Sequence, residues 1–139
     1  MHFSKLLTFP LLVSAGASAL AIDNPDSIVE RDLAKRSCYT AGEAWGSSKN
    51  LALQKVDEVC KNNFRGRYRG KSERNACRNL GDSGKRVDFT VRRWKDNDAS
   101  MDFATCKKYL RLEIVGCTFG GISYRGNWRF RSDANSGPC

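Results

Sequence analysis

Six cysteines constrain the fold of this chain more than any other sequence feature. No two of them have C-x-x-C spacing and the only histidine is His2, so a zinc site would lack its usual ligands. We therefore predict three disulfides of open connectivity, no metal site and no cofactor, with both ends of the cysteine-containing domain tied down. The six are Cys38, Cys60, Cys77, Cys106, Cys117 and Cys139.

The N-terminal region, residues 1–21, has the pattern of a secretory signal peptide. Lys5 precedes an apolar run over residues 6–13, and small residues follow, ending at Ala19 and Ala21. A membrane span is the alternative interpretation, but the run is interrupted and shorter than the roughly 20 apolar residues that a bilayer requires. We expect a secreted, extracellular protein without an integral membrane span, and the oxidising secretory route agrees with disulfide formation.

A second processing signal follows at the end of residues 22–36, a polar and acidic segment. It ends in Lys35-Arg36, a dibasic pair that resembles a kexin-type cleavage site, directly before Ser37. A flexible linker with a chance dibasic pair is the alternative. Cleavage would leave residues 37–139, which is long enough for a single domain with a modest core.

The charge of the chain favours anionic partners. It has 24 lysines and arginines against 15 aspartates and glutamates, a formal net charge of +9. Residues 1–36 contain as many basic as acidic residues, so the predicted mature domain keeps this excess. A body this small then carries a positive potential that reaches about 8 Å at physiological salt.

Catalysis is weakly supported by the sequence, and we expect a protein that is not an enzyme. Without a histidine in the predicted mature domain, no Ser/His/Asp or Cys/His constellation can form. Glu43 with Glu113 or Asp133 could in principle act as a glycosidase pair. Glu73 beside Arg74 could serve a ribonuclease, but this dipeptide fits a surface ion pair equally well.

Two segments have the periodicity of amphipathic helices. One begins at Ser47 or Ser48 and runs through Cys60. The other opens near Ser100 with Asp102 in its first turn, carries Cys106 and ends at Gly116. Because both cysteines lie on apolar stripes, each helix is expected to be cross-linked to the core beneath it.

Other segments alternate apolar and polar residues in the manner of strands. One apolar face per strand is typical of an antiparallel sheet covered on one side, so the fold class predicted is α+β, a two-layer sandwich with both helices on one face of the sheet. In the third strand Ile122 and Tyr124 are expected on the covered side. The segments are residues 64–69, 86–94, 122–125 and 128–131.

The uncovered face is then expected to be rich in arginine, with Asp88 as its one acid. Guanidinium groups bind phosphate, sulfate or carboxylate in bidentate fashion and stack on rings, and Trp94, Tyr124 and Tyr39 are candidates for stacking on a sugar or a base. The alternative is that arginine merely keeps the outer face and the sheet edges soluble. The arginines placed on this face are Arg65, Arg67, Arg69, Arg92, Arg125, Arg129 and Arg131. The candidate ligand-binding residues are Arg65, Arg67, Arg69, Arg92, Trp94, Tyr124, Arg129 and Arg131.

Several stretches resemble a group of small, secreted, cysteine-rich fungal proteins. They are the opening Cys38–Gly46, Glu73-Arg74 before Cys77, Leu110–Cys117 with the following glycine pair, and Trp128–Cys139. That group includes a mushroom glycan-binding protein and many effector candidates, and its two-helix sandwich is similar to that of the smut-fungus killer toxins. The resemblance implies the same fold, but one scaffold hosts many sites.

Three functions of different class follow as expectations. The first is an effector-like binding protein that recognises a glycan or other anionic surface polymer, or a host protein, where a fungus meets a host or a competitor. The second is a killer-toxin-like antimicrobial protein that acts at a membrane or an ion channel, since cations attract anionic lipids. The third is a nucleic-acid-binding effector, whose affinity would fall steeply with salt.

Overall fold

The computed structural model describes residues 36–139. The predicted signal peptide and the predicted propeptide up to Lys35 lie outside the described residues. The predicted α+β class is confirmed: a five-stranded antiparallel sheet, two helices and three disulfides make up the fold. In chain order the elements are β1 (Arg36–Cys38), α1 (Lys49–Val59), β2 (Gly66–Tyr68), β3 (Glu73–Asn79), β4 (Lys85–Arg93), β5 (Ala99–Met101), α2 (Phe103–Gly116), β6 (Gly120–Arg125) and β7 (Trp128–Ser136).

The main sheet has the strand order β1-β6-β7-β4-β3, and every neighbouring pair is antiparallel. A tight turn at Gly126-Asn127 joins β6 to β7, and Gly126 has the positive φ of 57° that such a turn requires. The strands β2 and β5 form a separate two-stranded sheet.

The core lies between the helices and one face of the main sheet. Val87, Phe89 and Val91 alternate along β4 toward the helices, and all three are buried. They belong to the same apolar cluster as Val56 of α1 and Leu110 of α2. Full burial of each such side chain is worth about 1.5 to 3 kcal/mol, so this layer contact determines which face of the sheet is left open.

The helix ends differ from the sequence patterns at both starts. The second helix was expected to open near Ser100, but Ser100 lies in β5. α2 begins after Asp102, whose Oδ1 accepts a hydrogen bond from the Thr105 backbone N–H at 2.8 Å, and it ends at Gly116. α1 begins after Ser48 as expected, but the Ser48 side chain makes no capping hydrogen bond.

The disulfides join elements that are distant in sequence. Cys60, directly after α1, is bonded to Cys106 of α2 within the core, so the cross-link expected for each helix is one bond that joins the two helices. Two further disulfides, Cys38–Cys117 and Cys77–Cys139, hold β1 and the C-terminal residue. The prediction that both ends of the domain are tied down is confirmed.

The two faces of β6 are the reverse of the sequence-based expectation. Ile122 and Tyr124 lie on the open face as the Cα partners of Arg131 and Arg129, whereas Ser123 and Arg125 point toward the helix layer. Arg125 is only 7% exposed, and its guanidinium lies 5.3 Å from the ring centroid of Tyr109. Its predicted place among the open-face arginines is therefore wrong, because the inner side of this strand accommodates polar groups.

A candidate ligand-binding surface at one end of the open face

Residues on the open face form rows across the sheet, because the strands pair in register. One row runs from Glu73 in β3 through Arg92 and Arg129 to Tyr124 in β6. A second row, four residues earlier in β4, places Asp88 of β4 directly beside Asp133 of β7. Three of the predicted site residues, Arg92, Arg129 and Tyr124, are thus neighbours, and Arg131 lies in the row between.

Ion pairs neutralise the centre of this face. Arg129 Nη2 lies 2.7 Å from Glu73 Oε2, and Arg131 Nη2 lies 2.6 Å from Asp133 Oδ2. Arg86, which the sequence analysis did not place here, pairs with Asp88 at 3.0 Å. Asn135 Nδ2 donates to both aspartates of the second row, at 2.7 and 3.2 Å. The expectation of a single acid is wrong: three acids face three of the arginines, so this centre is a satisfied polar layer rather than a bare cationic patch.

The end of the face at the Glu73–Arg129 pair carries a different group of residues, which we call the aromatic–cation cluster: Lys71, Arg92, Trp94 and Tyr124. Arg92 and Tyr124 share the row of that ion pair. The rings of Trp94 and Tyr124 meet edge to face with centroids 5.7 Å apart, and their residues are 44% and 47% exposed. The Arg92 guanidinium carbon lies 5.2 Å from the Trp94 ring centroid and Lys71 Nζ lies 5.9 Å from it. Exposed aromatic rings of this size are uncommon among the described residues, where the other tryptophans are buried or half-buried.

Main-chain hydrogen bonds hold the loops that carry this cluster. The Trp94 N–H donates to the Asn127 carbonyl in the β6–β7 turn at 2.7 Å, and the Lys71 N–H donates to the Lys95 carbonyl at 2.9 Å. Gly70 has no room for a side chain, because a Cβ there would lie 1.7 Å from the Asp96 carbonyl oxygen. The cluster is therefore built on two loops packed backbone to backbone.

The buried Arg93 stabilises the same loop from beneath. Its Nε and Nη2 donate to the carbonyl and the side-chain oxygen of Asn97 at 3.1 and 2.9 Å. Its guanidinium also lies 5.2 Å from the Trp128 ring centroid. These contacts fix the loop after β4, and with it the direction in which Trp94 projects.

Arg65, Arg67 and Arg69 do not lie on the open face. Arg67 belongs to β2 in the small sheet, and the other two flank that strand; all three are exposed. Arg67 Nη2 lies 3.1 Å from Asp98 Oδ2, and that carboxylate also accepts the Gly70 N–H. The Gly70 N–H and the Arg67 side chain lower the pKa of Asp98. The predicted single surface of seven arginines is therefore wrong, because β2 pairs with β5 and not with the main sheet.

Lys71 is the member of the cluster that sequence reasoning missed. It lies in the turn between β2 and β3 with a φ of 63°, a left-handed conformation that is uncommon outside glycine. No periodicity marks such a residue, and Gly70 before it is the one local signal for a turn.

Tyr39 lies on the open face but is less available than the other two candidate rings. Its backbone N–H donates to the Gly120 carbonyl at 2.8 Å, and its side chain is half-buried. Burial raises the pKa of Tyr39, and the neighbouring Arg131 partly offsets this increase. Tyr39 therefore belongs to the ion-paired centre rather than to the exposed end.

The function of this protein has to be inferred from its residues, because the sequence comparisons found no match. No family model and no curated protein sequence matches this chain. Within residues 36–139, no group of three or more histidine, cysteine, aspartate or glutamate side chains could hold a metal ion. Over the same residues, no helix has the length and apolar character needed to cross a bilayer.

Proposed function

We propose that this protein is a secreted, effector-like binding protein that recognises an anionic glycan through the aromatic–cation cluster. The single observation that carries the proposal is the exposed Trp94–Tyr124 pair with Lys71 and Arg92 beside the Trp94 ring. Aromatic faces pack against the apolar faces of sugars, and lysine and arginine bind sulfate or carboxylate substituents.

The charges of the face favour this end over the centre. At the centre, a ligand anion would have to displace Glu73 from Arg129 or Asp133 from Arg131, which pair at 2.7 and 2.6 Å. At the cluster, Arg92 lies over a ring, and Lys71 is 3.8 Å from Asp96, a carboxylate that is 91% exposed. An exposed pair of this kind contributes only about 0 to 1 kcal/mol, so an incoming anion replaces it at little cost.

The charges around the cluster also suit a polymer better than a small molecule. Arg69 and Lys95 are exposed on the same two loops, whereas Arg67 of β2 is paired with Asp98. A chain with regularly spaced anionic groups could contact these cations in succession while one sugar packs against Tyr124. We place this recognition outside the cell, where a fungus meets a host or a competitor.

Heparin, used as a sulfated probe, tests the proposal with the secreted protein. We expect Trp94→Ala and Tyr124→Ala to weaken heparin binding at constant net charge, and Arg92→Gln to weaken it more than Lys49→Gln does. Lys49 is the matched control, because it belongs to α1 in the helix layer, where its Nζ donates to the Val115 carbonyl at 3.2 Å, and glutamine keeps a donor there. Equal losses for the two charge variants, with no effect of the ring variants, would reduce the binding to net charge alone and overturn the proposal.

Two further probes separate the alternative functions. A single-stranded RNA oligonucleotide that binds more tightly than heparin at matched salt would favour the nucleic-acid-binding function. Leakage from anionic vesicles at concentrations that leave neutral vesicles intact would favour the toxin. If heparin binding were also unchanged in Trp94→Ala, either result would make RNA or the membrane, and not a glycan, the proposed target.

A further inference from the structure

Arg36, the second residue of the predicted dibasic site, is built into the fold. It lies in β1 as the Cα partner of Ser123, and its Nη1 donates to the Leu112 carbonyl at 2.7 Å. Its guanidinium rests directly on Gly116, where an added Cβ would lie 2.1 Å from Nη1. A cation in the last turn of a helix interacts favourably with the helix dipole, so Arg36 acts as a side-chain cap for α2.

A buried carboxyl lies beneath this cap. Glu113 is 0% exposed, and its Oε1 has no hydrogen-bond partner among the described residues. The groups that face it are Arg36 from β1 and, from β6, Arg125 and the Ser123 hydroxyl. Its Oε2 also lies 3.8 Å from Cys117 Sγ, next to the disulfide that holds β1.

Cleavage at the dibasic site would change the charge next to this carboxyl. Hydrolysis of the Arg36–Ser37 peptide bond adds hydroxyl to the Arg36 carbonyl carbon and hydrogen to the Ser37 nitrogen, which becomes an α-ammonium group at neutral pH. Arg36 then leaves with the removed segment. The guanidinium disappears and a new cation forms one residue further along the same strand.

The new terminus would be held where it forms. Cys38, its neighbour, is bonded to Cys117, and the Tyr39 N–H donates to the Gly120 carbonyl at 2.8 Å. A Cβ added to Gly121 would lie 2.5 Å from the Ser37 carbonyl oxygen and 3.0 Å from Glu113 Oε2. The Ser37 main chain and the Glu113 carboxyl therefore both approach the Gly121 backbone, while Ser37 itself is exposed.

We propose that processing exchanges the cation that faces Glu113, replacing the Arg36 guanidinium with the α-ammonium group of Ser37. The secreted domain thereby anchors its own N-terminus to α2 through an ion pair that the precursor cannot make. This inference depends on the predicted dibasic cleavage and is independent of glycan binding. Failure of the heparin experiments would leave it intact.

Titration of the Ser37 amine in the processed protein tests the exchange. The full chain is produced in a secreting yeast, its N-terminus is identified by mass spectrometry, and the rate of acetylation of the N-terminal peptide is measured from neutral to alkaline pH. An α-amine ordinarily has a pKa of about 7.7 to 8.0, and a carboxylate within about 4 to 6 Å favours its charged form by roughly one to three units. We expect a pKa raised by at least about one unit in the wild-type protein, and an ordinary pKa in Glu113→Gln.

Glu58→Gln is the matched control, because it makes the same chemical change at a carboxylate that pairs with Arg78 and Lys55. Glu58→Gln should leave the pKa of the Ser37 amine at its wild-type value. An ordinary amine pKa in the wild-type protein would overturn the proposal whether or not Glu113→Gln folds. A secreted chain that still begins before Ser37 would overturn it as well.

Discussion

The buried Glu113 carboxyl makes a specific prediction about stability and pH in the chain that retains Arg36. Burial raises the pKa of Glu113 to about 7, and Ser123, Arg36 and Arg125 only partly offset this effect. In the unfolded chain a glutamate has a pKa of about 4.3. The folded state therefore binds more protons than the unfolded state between these two values, and the free energy of unfolding falls as pH rises through that window.

The size of this loss follows from the difference between the two pKa values. Each unit corresponds to about 1.36 kcal/mol, so the full loss above neutral pH is up to about 4 kcal/mol. Four other carboxyl groups, Glu43, Glu58, Asp98 and Asp102, have lowered pKa values and titrate below the window. The slope between mildly acidic and neutral pH should therefore come mainly from Glu113.

Urea unfolding of two proteins tests this prediction. The parent carries Lys35→Gln, which removes the dibasic cleavage site so that Arg36 is kept, and the second protein carries Glu113→Gln as well. The midpoint of the parent should fall as pH rises from about 4.3 to 7 and then level off. Glutamine has no proton to lose, so the urea midpoint of the Glu113→Gln protein should change little over this pH range. At neutral pH it should be higher than the midpoint of the parent. Parallel losses in the two proteins across this window would refute the assignment of the slope to Glu113.

Three further predictions concern the scaffold. Replacing Cys60 and Cys106 together by alanine should lower the free energy of unfolding by about 4 kcal/mol, because the bond closes a long loop; urea unfolding measures this, and an unchanged midpoint would contradict it. Gly70→Ala should displace the Asp96 backbone and weaken heparin binding through the loops alone; wild-type affinity would show that the packed loops do not position the cluster. Asp102→Ala should cost about 1 kcal/mol by removing the cap of α2, measured as a lower midpoint, and its heparin affinity should stay at the wild-type level.

The layered fold was predictable because it depends on periodicity. The apolar stripes of both helices and the alternation of β4 and β7 follow the physical rule that one side of each element is buried, and the structure confirms them. Gly116 ends α2 as expected from the chemistry of helix termini, whereas the start was expected near Ser100 and is capped by Asp102.

The surface was less predictable, because alternation says nothing about which strands become neighbours. Glu73 faces Arg129 only because β3 joins the far edge of the sheet, and no pattern identified that strand. In β6 the apolar Ile122 and Tyr124 face outward, since the inner side of this strand meets the buried Glu113 instead of an apolar core. A polar group buried against another polar group leaves no signature in hydrophobic periodicity.

The most direct test of the proposed function is to map the binding surface by nuclear magnetic resonance. A heparin oligosaccharide is added stepwise to the isotopically labelled secreted protein while the backbone and indole N–H signals are followed. Our account predicts that the largest shifts occur at the Trp94 indole, Tyr124, Arg92 and the turn that contains Lys71. Shifts centred on the exposed side of α1 and α2, or spread evenly over all cationic residues, would contradict it.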